Sequence, residues 1–107
     1  MSDDGKIREV ASLVGRFIRK VFPGRESVEV DVERFELGMG DAPYFELWTK
    51  GRDSMVCGVG SDTERLKRSV LLNFRYRLGP ERSPQSWEEL EMYVESLGGG
   101  DRESTTA

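Results

Sequence analysis

Between Lys6 and Phe22 apolar residues return every three or four positions. Ile7, Val10, Ala11, Leu13, Val14, Phe17, Ile18, Val21 and Phe22 fall on one half of a helical wheel. Arg8, Ser12, Arg16 and Arg19 hold the other half, so the segment predicts an amphipathic helix. Gly15 in its middle costs about 1 kcal/mol against alanine, which so regular a stripe absorbs. Pro23-Gly24 ends it. The period then shortens to two. From Ser27 to Leu37, Val28, Val30 and Val32 alternate with Glu29, Asp31 and Glu33, the pattern of a half-buried strand. Phe35 and Leu37 break the phase by taking the face that the acids held. That slip calls for a bulge near Glu33-Arg34 or for a cover on the strand's far side. The stretch GMGDAP loops to a second strand over Tyr44–Lys50, with Phe45, Leu47 and Thr49 opposite Tyr44, Glu46 and Trp48. Gly51-Arg52-Asp53 turns it into a third strand, Ser54–Gly60, in which Met55, Cys57 and Val59 share a face.

Ser61-Asp62-Thr63-Glu64 has the spacing of a capping box and opens a second helix that runs to Leu78. Its core side is Leu66, Val70, Leu71, Phe74 and Leu78, and Gly79-Pro80 stops it. A last helix starts between Ser83 and Ser86, carries Trp87, Leu90, Tyr93, Val94 and Leu97 as its stripe, and ends at Gly98-Gly99-Gly100. The order αβββαα predicts an α+β domain over residues 1–97: a three-stranded antiparallel meander with helices mainly on one face. Residues 98–107 read as a disordered, Gly-led polar tail.

Composition narrows the chemistry. The chain has 107 residues, enough for one domain, with 36% hydrophobic and 34% charged side chains. A single cysteine excludes an internal disulfide framework, and the lack of histidine removes the commonest general base and metal ligand. No apolar run reaches the ~20 residues of a membrane span, and MSDDGK has no signal-peptide stretch, so a cytoplasmic location is expected. A net charge of −4 and a pI of about 4.9 argue against a generic nucleic-acid binder. The charge is nonetheless segregated: basic first helix, acidic first strand, basic second helix, acidic third helix.

A catalytic constellation is not found. Cys57 sits mid-strand among apolar neighbours, where a thiol serves as a small hydrophobe. Glu29, Asp31 and Glu33 share a strand face and read as a solvated surface before they read as a cation site. Gly38-Met39-Gly40 and Gly58-Val59-Gly60 lack the lysine and hydroxyl residue of a phosphate loop, and read as turn and close-packing glycines. No enzyme activity, cofactor or metal is expected.

The αβββα order and the run Gly58-Val59-Gly60-Ser61-Asp62-Thr63-Glu64-Arg65-Leu66-Lys67 resemble a double-stranded RNA-binding domain over roughly residues 6–78. That family carries lysines in the first turn of its second helix. Here only Lys67 matches, Thr63 and Glu64 stand where the family has a lysine pair, and the loop Gly38–Pro43 carries Asp41 in place of a proline-histidine element. The rival reading is a nucleic-acid surface built from Arg8, Arg16, Arg19 and Lys20 of the first helix, joined by Lys67, the one position that the resemblance supplies.

Two other surfaces compete with it. Opposite the core side of the second helix lie Arg65, Arg68, Leu72, Arg75 and Tyr76, residue types enriched in binding hot spots. Docking of the acidic third helix on this face is the simplest expectation, since consecutive elements are usually neighbours. On the sheet, Tyr44 and Trp48 face away from the helices amid Glu29, Asp31, Glu33, Glu46 and Arg52, or Trp48 packs beneath Phe35 and Leu37. The favoured expectation is a small, acidic, non-enzymatic protein-binding module, an adaptor or an inhibitor of the phage type. It docks through Tyr44, Trp48, Arg65, Arg68, Leu72, Arg75 and Tyr76. The nucleic-acid domain is the alternative, and an edge strand offers a route to a homodimer.

Overall fold

The structure, a computed structural model, describes residues 4–36, 38–40, 43–51 and 54–106, with the side chains of 5–96 among them. The expected order holds: α1 (Asp4–Val21), β1 (Val30–Phe35), β2 (Tyr44–Thr49), β3 (Val56–Gly60), α2 (Thr63–Leu78) and α3 (Trp87–Thr106). The strands form one antiparallel sheet in the order β1-β2-β3, with helices packed on one of its faces. The result is an α+β meander with αβββαα connectivity. No helix among the described residues is long and apolar enough to cross a membrane.

The core forms where the predicted stripes meet. Ile7, Val10, Ala11, Val14, Phe17 and Ile18 of α1 are buried against Phe45 and Leu47 of the central strand and Leu66, Val70 and Phe74 of α2. Alternation in β2 is strict: Phe45, Leu47 and Thr49 are buried, while Tyr44, Glu46 and Trp48 are half-exposed on the far face. Thr49 tolerates its burial because its Oγ1 accepts a hydrogen bond from the Met55 N–H at 2.8 Å.

One open alternative is decided and three local expectations are corrected. The β1–β2 register runs without interruption from Val30↔Thr49 to Phe35↔Tyr44, so the phase slip in β1 is not a bulge. Phe35 instead stacks on Tyr44, directly across the ladder, at 5.0 Å. Leu37, the other residue of that slip, lies outside the described residues. The bulge falls in β3, where Leu47 faces Gly58 but Trp48 faces Val56, leaving Cys57 as the extra residue. Cys57 is therefore buried while Val59 turns outward, and the two do not share a face. The N-cap of α2 is Asp62 rather than Ser61: its carboxylate accepts from the Arg65 N–H at 2.8 Å. Lastly, α3 runs on to Thr106, through the glycine run that was expected to end it. Glycine weakens a helix but keeps its N–H, unlike proline, and so does not itself end one.

Candidate functional site

Helix α2 sits very close to β3, and glycines make this closeness feasible. A Cβ on Gly58 would lie 2.6 Å from Cγ2 of Val70, and one on Gly60 would lie 2.6 Å from the Leu66 backbone nitrogen. This packing fixes the rotation of α2. Leu66, Val70 and Phe74 point inward, Ser69 and Asn73 lean over the edge of β3, and the opposite arc faces solvent.

That arc holds Arg65, Arg68, Leu72, Arg75 and Tyr76, the set expected from the sequence, and all five are exposed. Leu72 is 60% and Tyr76 89% exposed, so two large apolar side chains stand in water among three guanidinium groups. The expectation that α3 covers this face is overturned, since α3 packs principally on α1. The cause is the width of the α1 stripe, which is broader than the sheet alone can cover. Phe17 has Phe74 on one side at 4.6 Å and Tyr93 of α3 on another at 5.6 Å, and Leu90 and Val94 of α3 are buried in the same core cluster. Arg65 leans back on Asp62 at 3.8 Å, an exposed ion pair of little energetic weight.

On the far face of the sheet, Tyr44 and Trp48 take the expected side but are not free standing. Glu46 lies between them: the Trp48 Nε1–H donates to its Oε1 at 2.7 Å, and the Tyr44 hydroxyl donates to its Oε2 at 3.4 Å. Phe35 stacks on Tyr44 rather than on Trp48. Arg52 and Asp41 lie outside the described residues, as does Leu97 as a side chain. This patch is half-buried and tied together, whereas the α2 face is open.

The cations of the nucleic-acid alternative are spread over separate surroundings. Arg8 borders β1, Arg16 lies beside Met92 and Glu95 of α3, and Arg19 donates to the Val28 carbonyl at 2.9 Å. Lys20 is exposed at the end of α1. Lys67 lies 5.6 Å from the Trp87 ring and 3.9 Å from Glu64. It borders a cleft of about 520 Å³ where α1, α2 and the start of α3 converge. Lys6, Glu9, Asp62 and Glu91 also border this cleft, giving it mixed charge. Sequence reasoning missed the cleft because it exists only once α3 crosses α1.

Cys57 is fully buried, and loss of hydration pushes its thiol up from 9.0 to about 11, against the weaker pull of Arg77 and Arg25. The folded chain thus holds this proton more tightly than the unfolded chain. Its stabilising contribution is complete below pH 9 and is lost as the pH rises through about 11, at about 1.4 kcal/mol per pH unit. Urea midpoints of the wild type are expected to fall faster than those of Cys57→Ala across this window. Parallel profiles would show that the thiol is not protected.

Compared with known proteins, the chain matches no family model, no curated relative and no solved structure.

Proposed function

We propose that the chain is a non-enzymatic protein-binding module, an adaptor or inhibitor, whose α2 face docks on an acidic surface of another protein. The observation that carries the reading is the exposure of Leu72 and Tyr76 at 60% and 89% between Arg65, Arg68 and Arg75. An apolar pair within a cationic rim supports a partner patch with an apolar centre and carboxylates around it. A buried tyrosine covers 150–250 Å² as a class, which at ~25 cal/mol per Å² is several kcal/mol of gross binding energy before association costs. Tyr44 and Trp48 remain available on the far face of the sheet as a smaller second patch.

The test uses a photo-crosslinking residue at Tyr76 to capture the partner in cells, followed by titration of the purified pair. Leu72→Ala and Tyr76→Ala are each expected to weaken that complex by about tenfold or more, roughly 1.4–2 kcal/mol, with Tm unchanged because neither side chain supports the core. Unaltered affinity in both variants refutes the reading. A gel shift with duplex RNA that collapses between ~50 and ~200 mM salt supports the nucleic-acid alternative instead.

A further inference from the structure

The two edges of the sheet are finished differently. In an antiparallel ladder the backbone N–H and C=O of one residue point to one side, and those of its neighbour point to the other. The Lys50 N–H donates to the Glu29 carbonyl at 2.8 Å, so Asp31, Glu33 and Phe35 bond to β2. Val30, Val32 and Arg34 therefore turn their backbone groups outward. At the other edge α2 occupies one outward backbone group on each of Val56 and Val59. Ser69 Oγ accepts from the Val59 N–H at 2.9 Å, and Asn73 Nδ2 donates to the Val56 carbonyl at 2.8 Å. A strand cannot add to β3 without displacing those two side chains. Among the described residues no such bond closes the outer side of Val30, Val32 or Arg34.

Two recesses flank this open edge beneath α1. One of about 240 Å³ is bordered by Ile7, Arg8 and Val32, the other of about 270 Å³ by Arg8, Ala11 and Val30. Val30 and Val32 are two residues apart, the spacing at which an added strand sends side chains to the same face. On the opposite face of β1 stand the exposed carboxylates of Asp31 and Glu33.

We infer that the β1 edge is a docking groove for an extended segment of another protein, with lysine or arginine at alternate positions and aliphatic residues between them. The inference goes beyond the α2 reading and uses a different surface. Backbone bonds to Val30, Val32 and Arg34 anchor the guest, the recesses receive its aliphatic side chains, and Asp31 and Glu33 meet its cations. The same carboxylates disfavour a second copy of this chain. The symmetric pairing that uses all three outward residues centres on Val32, and it sets Asp31 of each copy directly opposite Glu33 of the other.

The experiment titrates the full-length chain with two acetylated eight-residue peptides, one alternating lysine with valine, the other glutamate with valine. Amide exchange of the chain is followed by NMR. The lysine peptide is expected to bind at least tenfold more tightly and to protect the amides of Val30, Val32 and Arg34. Asp31→Lys combined with Glu33→Lys reverses the preference, and Val32→Pro removes one outward N–H without touching the β2 ladder and weakens both peptides. If the proline variant fails to fold, the double charge reversal, at two exposed positions, still decides. Equal binding of the two peptides, or protection elsewhere, overturns the inference. Concentration-dependent protection of the same amides without peptide overturns it in favour of a homodimer. Leu72→Ala and Tyr76→Ala leave the peptide titration unchanged, which separates this groove from the α2 face.

Discussion

Phe17→Ala and Phe74→Ala are each expected to cost about 3–5 kcal/mol, the upper range for aromatic truncation in a core. Both side chains are fully buried, and their rings lie 4.6 Å apart at the point where α1, α2 and α3 meet. Phe17 also meets Tyr93 edge-on at 5.6 Å, and Phe74 meets Phe22 at 5.9 Å. Removing either ring opens a cavity bordered by three elements, none of which can close on it without leaving another contact. A domain of this size has about 5–15 kcal/mol of stability in all, so each variant is brought near the margin of folding. Thermal denaturation followed by circular dichroism is expected to show a fall in Tm of the order of 15 °C or more. A Tm unchanged within error in both variants refutes the assignment of this core.

Gly60→Ala is the second large effect, expected to destabilise by about 1–3 kcal/mol or more although it adds only one methyl group. The new Cβ would meet the Leu66 nitrogen at 2.6 Å and the Arg65 carbonyl carbon and Leu66 Cα at 2.9 Å, all of them backbone atoms of the first turn of α2. A helix backbone cannot rotate out of the way, so the whole helix must lift from the sheet. Gly58→Ala meets Cγ2 of the buried Val70 at 2.6 Å but backbone only at 3.2 Å, so it is expected to cost less than three backbone contacts under 3 Å. Urea midpoints of the two variants give the order, and a milder effect at Gly60 than at Gly58 contradicts the close approach.

These two predictions rest on features that the sequence reveals unequally. The apolar stripe of α1 and the strict alternation of β2 are local periodicities, and the burial of Phe17, Phe45 and Leu47 follows them. The arc from Arg65 to Tyr76 was legible for the same reason. Its exposure was not. Charge complementarity and sequence proximity both favoured α3 on that face, but α1 offered a wider apolar surface, and a Phe17–Tyr93 contact cannot be read from either helix alone. The bulge at Cys57 likewise belongs to the pairing of β2 with β3 rather than to β3 itself. No pattern in the sequence sets Ser69 and Asn73 apart from the other polar positions of a helix. Their role at the sheet edge emerged only when Gly58 and Gly60 brought α2 within hydrogen-bond reach of β3.

The packing of α3 on α1 also bears on how the chain folds as it is synthesised. The sheet and α2 lie between these helices in the sequence, so β3 and α2 can associate over a short stretch while synthesis continues. The side of α1 that receives Tyr93, Leu90 and Val94 has no cover until those residues emerge. During that interval the nascent chain carries an exposed aromatic and aliphatic strip, the kind of surface that chaperones hold and that promotes aggregation. Of α1, α2 and α3, α1 is made first, yet this strip of it waits for the helix made last.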